Sequence, residues 1–90
     1  MPASSEVEVV VTLPAGVDLH ARPAAQFVRT AVGFSAELAV AVNGREANAK
    51  SLLAVLALGA TGGTPLRLTA NGEDAAVALD ALGQCVAAFE

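Results

Sequence analysis

Glu37-Leu38-Ala39-Val40-Ala41-Val42-Asn43-Gly44-Arg45-Glu46-Ala47-Asn48-Ala49 reads as a β-hairpin. The first six residues alternate, and Asn-Gly lies between two strand-like runs. This dipeptide is the strongest short hairpin signal, because both of its residues tolerate positive φ. The spacing predicts one strand over 37–42, a second over about 45–49, and antiparallel pairing between them.

Upstream, Glu6-Val7-Glu8-Val9-Val10-Val11-Thr12 begins with strict alternation and then turns β-branched, which predicts a strand ended by Pro14-Ala15-Gly16. A loop follows to Ala21. Pro23 fits the first turn of a helix, where the N–H it lacks would be unpaired anyway. Ala24, Phe27, Val28 and Ala31 then recur at helical spacing as far as Gly33.

Downstream, Ser51 is a good N-cap for a short helix over 52–58, stopped at Gly59. After a Gly62-Gly63 turn, residues 64–70 set Leu66, Leu68 and Ala70 on one side and Arg67 and Thr69 on the other. Pro65 marks either an edge strand or a strand start. Asn71-Gly72 has the form of a second hairpin turn, yet a helix follows it. Glu73 and Asp74 suit a helix N-terminus, where the dipole favours negative charge, and Leu79, Leu82, Val86 and Phe89 recur on one face.

The order is β-α-β-β-α-β-α. Strands with one apolar face and helices with one apolar stripe need a single shared core. The expected fold is therefore α+β: an open-faced sandwich with a four-stranded, mainly antiparallel sheet and three helices on one face. No repeat, linker or low-complexity tract divides the chain, so residues 1–90 are expected to form one domain.

Composition narrows the function classes. The 90 residues are 54% hydrophobic and 16% charged, which excludes intrinsic disorder. Three Phe and no Trp or Tyr make the core aliphatic and leave no stacking platform for single-stranded nucleic acid. The formal net charge is −4 and the five Lys and Arg are scattered, so no basic patch for a phosphate backbone is expected. Cys85 is the lone cysteine, so neither an intramolecular disulfide nor zinc-ligand spacing is available, and its place beside Leu82 and Phe89 predicts a core role. No Lys or Arg precedes position 22 and no apolar run exceeds the seven residues of 52–58. A secretory signal and a membrane span, which needs about 20 residues, are both disfavoured, and a soluble cytoplasmic protein is expected. No metal site and no cofactor are expected.

His20, the only histidine, lies in Leu19-His20-Ala21-Arg22-Pro23 at the mouth of the first helix. Imidazole changes charge near neutral pH, so a neutral nucleophile is available there. A helix N-terminus presents backbone N–H groups and a positive dipole end, which suit a phosphate. Arg22 adds a permanent planar cation able to bridge phosphate oxygens. A phosphoryl group on imidazole stays transferable, so such a site suits relaying phosphate. No second acid–base group, metal cluster or Gly-rich nucleotide loop accompanies His20, which argues against a self-contained enzyme.

The segment Leu19-His20-Ala21-Arg22-Pro23-Ala24-Ala25-Gln26-Phe27-Val28 resembles the active-site segment of the HPr family, the histidine-containing phosphocarriers of the phosphoenolpyruvate-dependent sugar phosphotransferase system. The resemblance continues in Ala49-Lys50-Ser51-Leu52-Leu53, Leu58-Gly59 and Asn71-Gly72-Glu73-Asp74-Ala75. It implies that His20 accepts phosphate on Nδ1 from phosphorylated Enzyme I and donates it to Enzyme IIA proteins, with Arg22 stabilising the transferring group. It also implies a monomer.

Ser51 matches the family serine that a dedicated ATP-dependent kinase phosphorylates in some bacteria, although an N-cap role alone explains a serine here. Leu52, Leu53, Val55 and Leu56 crowd a short helix and only part of that set can face the core, so the rest, with Leu52, Leu53 and Leu56 as the partner-binding candidates, is expected to form an apolar docking patch beside the His20 loop. The family often places a C-terminal carboxylate near the histidine; Glu90 is the last residue of this sequence, and the sequence does not show where it lies. Asp18 departs from the family, which has Gly there. A carboxylate so close to His20 repels phosphate, and pointing into water is the expected way out. Two other readings share these residues: a regulatory module acting through Ser51 and its helix, and a carrier of a nitrogen-related or dihydroxyacetone-kinase branch.

Overall fold

The structure, a computed structural model, describes residues 6–89. Its elements are β1 (Glu6–Thr12), α1 (Ala21–Val32), β2 (Glu37–Val42), β3 (Arg45–Asn48), α2 (Leu52–Ala57), β4 (Pro65–Asn71) and α3 (Ala75–Ala87). The hairpin that opened the reading is present. Val42 pairs with Arg45, and Asn43 and Gly44 both have positive φ, 51° and 81°. This is the backbone that a two-residue turn between right-twisted strands requires.

The four strands form one antiparallel sheet in the order β1-β4-β2-β3. β4 therefore lies inside the sheet, between β1 and β2. Pro65 is its first residue, opposite Thr12, so of the two readings of that proline the strand start is the one realised. Leu66, Leu68 and Ala70 on β4 and Leu38, Val40 and Val42 on β2 are buried. They meet α1 through Phe27 and Ala31 and α3 through Leu79, Leu82 and Val86. Phe27 is fully buried, the largest such side chain in a mostly aliphatic core. Phe89 lies just past the end of α3 and is buried as well. Cys85 is half-buried and packs on this core.

The apolar side of β1 is less covered than its alternation predicts. Val7 and Val9 keep 37% of their surface. Their neighbours on α3 include Ala76, Gly83 and Ala87, which are too small to reach over an edge strand.

The helix boundaries carry two surprises. Gly33 caps α1 in the right-handed region, at φ −74°, whereas Gly59 after α2 takes the left-handed conformation, at φ 61°. Asp74 caps α3 without a side-chain cap bond. Its carboxylate reaches instead to the segment between α1 and β2, where Oδ2 accepts the Ser35 N–H (2.9 Å) and hydroxyl (3.3 Å), and Oδ1 accepts the Ala36 N–H (2.8 Å). Lys50 Nζ donates to the Phe34 carbonyl at 2.7 Å. The C-terminal end of α1 is thus held from two sides, which fixes the axis of the helix that carries the site at its other end.

Candidate functional site

His20 is the N-cap of α1, in extended conformation (φ −92°, ψ −166°), and its carbonyl accepts the Ala24 N–H at 2.8 Å. Its imidazole makes no cap bond to the helix and is exposed. The first-turn amides of a helix lack intrahelical acceptors. Here Pro23 has no N–H and Ala24 is closed onto His20, so the free donors are the amides of Ala21 and Arg22. No acidic residue stands in that first turn, while Arg29 complements the opposite end. A phosphate arriving at this helix end meets backbone donors and the positive end of the α1 dipole.

His20 and Arg22 open onto one cleft of ≈ 390 Å³, completed by Pro23, Gln26, Ala88 and Phe89. The cleft lies between the N-terminus of α1 and the C-terminal end of α3. Gln26 follows Arg22 by four residues, hence on the same face of α1. That spacing is the sequence signal for a polar side chain in the cleft. Ala88 and Phe89 carry no such signal, because only the packing of α3 on α1 brings them there. Glu90 lies outside the described residues.

Residues preceding His20 are fastened to the turn that leads into β4. Leu13 N–H donates to Thr64 O (3.0 Å), Gly63 N–H to Leu13 O (2.9 Å) and Leu19 N–H to Ala60 O (2.9 Å). The Asp18 carboxylate does not point free into water as expected. Its Oδ1 accepts the Gly62 N–H at 2.8 Å. The reason is topological: Gly62 is 44 residues away in sequence, and only the folded chain sets its amide opposite Asp18.

Ser51, Leu52, Leu53 and Leu56 lie outside the cleft. Ser51 is the N-cap of α2, with Oγ accepting the Ala54 N–H at 3.3 Å. Val55 turns into the core, Leu56 is half-buried, and Leu52 and Leu53 keep 40% and 80% of their surface. The helix packs on α1, so this apolar surface flanks the helix that bears His20. No group of metal-ligating side chains occurs among the described residues, and no helix among them is long and apolar enough to cross a membrane.

A small open-faced α+β sandwich thus presents a histidine and an arginine on one open cleft at the mouth of its first helix, an arrangement suited to holding a phosphoryl group. Comparison with known proteins narrows the class. Residues 5–88 match the PTS-HPr family, described as "PTS HPr component phosphorylation site". The chain is 41% identical over 83 residues to the phosphocarrier protein HPr of Buchnera aphidicola, covering 92% of this chain and 95% of that protein. It is 41% identical over 87 residues to that of Haemophilus influenzae, covering 97% and 98%. The crystal structure of a phosphocarrier protein HPr from Bacillus anthracis superposes with a TM-score of 0.87 at 35% identity, over 91% of this chain and 98% of that one. The chain belongs to the HPr family of phosphotransferase-system phosphocarriers.

Proposed function

We propose that the chain, acting as a single domain over 1–90, relays a phosphoryl group from phosphorylated Enzyme I to Enzyme IIA proteins of sugar uptake, with His20 as its acceptor. The observation that carries this is the shared cleft, in which His20 and Arg22 stand at a helix N-terminus free of acidic residues. Nδ1, the nitrogen the family resemblance implies, attacks phosphorus with its lone pair. A P–N bond forms as the donor's bond to phosphorus breaks. Arg22 and the amides of Ala21 and Arg22 hold the phosphoryl oxygens while charge shifts between them. Because the site is open, the partner protein supplies the rest of the electrostatic environment in each transient complex. The family resemblance favours a cytoplasmic monomer, and Leu52, Leu53 and Leu56, on the helix packed against α1, supply a docking surface for partners.

The test uses phosphoenolpyruvate and Enzyme I with the purified protein. Phosphate that is acid-labile and base-stable is expected on the wild type and absent from His20→Ala. Phosphate-free wild type, or labelling that persists in His20→Ala, sinks the assignment. Pairing with Enzyme IIA proteins of sugar, nitrogen-related or dihydroxyacetone-kinase systems then sorts the branches by rate.

The 80% exposure of Leu53 favours a second reading, a regulatory module that docks through α2 and is controlled by a serine kinase at Ser51. A phosphate there adds nearly two negative charges beside the apolar patch. Partner binding that survives His20→Ala but fails in Ser51→Asp selects this reading.

A further inference from the structure

We propose that Asp18 is a positioning residue for phosphoryl transfer, a latch that holds the segment before His20 at a fixed distance from the α1 amides. The inference rests on His20 being the acceptor.

Residues 17–20 alternate inward and outward: Val17 and Leu19 are buried at 9% and 2% exposure, while Asp18 and His20 are exposed. Alternation in an extended segment puts Asp18 and His20 on the same side of the chain. A carboxylate in that place, free to turn, would oppose an incoming phosphoryl group. Its Oδ1 is instead engaged by the Gly62 N–H at 2.8 Å. The bond is charge-assisted, hence stronger than the backbone bonds beside it.

The donor is as constrained as the acceptor. A Cβ on Gly62 would lie 2.6 Å from Gly16 N, 2.9 Å from Val17 N and 3.1 Å from Pro14 O, so the two backbones are already in contact. Asp18 thus closes a bond onto an amide that has nowhere to go. Leu13–Thr64, Gly63–Leu13 and Leu19–Ala60 pair backbone with backbone. Asp18 is the side chain that joins this set, two residues from the nucleophile. Without it, 17–19 are held by the Val17 amide on Pro14 O within the same loop, the Leu19 amide on Ala60 O and two buried side chains, and His20 gains freedom relative to Arg22. Freedom of an attacking atom lowers rate more than affinity, because binding tolerates a spread of poses that reaction does not.

Asp18→Ala, Asp18→Asn and Asp18→Glu separate the contributions. Asn keeps an Oδ1 acceptor without the charge, and Glu keeps the charge but moves the carboxylate one methylene farther. For phosphoryl acceptance from phosphorylated Enzyme I, Asp18→Ala and Asp18→Glu are expected to lose roughly tenfold in maximal rate, with KM for Enzyme I within about twofold of wild type. Asp18→Asn is expected to restore the rate to within about threefold. Amide hydrogen exchange gives an independent readout: Gly62 loses protection in the Ala and Glu variants and keeps it in Asn. Should the Ala variant not fold, the Glu and Asn pair decides alone. Wild-type rate in the Ala or Glu variant, unchanged Gly62 protection, or an Asn variant as slow as Ala overturns the latch. Failure of the wild type itself to take up phosphate overturns the acceptor assignment instead, so the two failures are distinguishable.

Discussion

Replacing Gly62 by Ala puts a methyl group where there is already backbone. Ordinary contact begins at 3.4 Å, and the new Cβ would stand 2.6 Å from Gly16 N and 2.9 Å from Val17 N. The closest approach is thus about 0.8 Å too short, against atoms that cannot rotate aside as a side-chain tip would. Relief requires residues 14–17 and the 60–63 turn to separate, which loosens the Gly62–Asp18 and Leu19–Ala60 bonds. Overpacking costs about 1–3 kcal/mol and a loosened hydrogen bond about 1 kcal/mol, so a loss of roughly 2–4 kcal/mol is expected. In a domain of this size each kcal/mol moves Tm by about 4–8 °C, which makes the drop roughly 10–30 °C. Thermal and urea unfolding followed by far-UV circular dichroism measure it. Gly63→Ala is the control. That glycine has φ +85° but open space around its missing Cβ, so it should lose only the left-handed strain, about 1–2 kcal/mol. A Gly62→Ala protein that melts within about 3 °C of wild type, or that is more stable than Gly63→Ala, would refute the close backbone contact and the reasoning built on it.

Gly83→Ala should have the opposite sign. Its Cβ would meet only Val11 Cγ1, at an ordinary 3.5 Å, and helix propensity then favours Ala by about 0.5–1 kcal/mol, read as a higher urea midpoint. A lower midpoint would show that the space between β1 and α3 is not free. The Asp74 carboxyl is held below its ordinary 3.8, first by the Ser35 N–H, against some desolvation, and further by the Ala36 N–H and the Ser35 hydroxyl. A depressed folded-state pKa stabilises fully above the unfolded value and ceases to as pH falls through the folded one. The difference in Tm between wild type and Asp74→Ala should therefore be largest near neutral pH and shrink below about pH 4. An undiminished difference at about pH 2.5 would assign the effect to packing instead.

Local periodicity made most of the architecture readable. The alternation in 37–42 and the Asn43-Gly44 pair specify a hairpin within thirteen residues, because a two-residue turn with both φ positive admits few other dipeptides. Leu66, Leu68 and Ala70 announce the buried face of β4 in the same way. His20, Arg22 and the helix start that Pro23 marks are equally local, so the candidate site at the mouth of α1 is legible in one short segment. The position of Pro65 was ambiguous for a definite reason. A proline that begins an interior strand and one that lies on an edge look alike until strand order is known. The half-covered face of β1 was illegible too, since its exposure depends on small residues some seventy positions away.

Sequence alone determined the elements, their order, the hairpin register and the chemistry available at the mouth of α1, all of which depend on residues within a turn or two of one another. The tertiary structure decided what those residues face. It set β4 between β1 and β2, closed the His20 cleft with Ala88 and Phe89, aimed the Asp74 carboxylate at Ser35 and Ala36 instead of at its own helix, and gave the Asp18 carboxylate the Gly62 amide. Each of these joins positions about 25 or more residues apart, where no short-range pattern reaches and only the packing of one shared core brings the partners together.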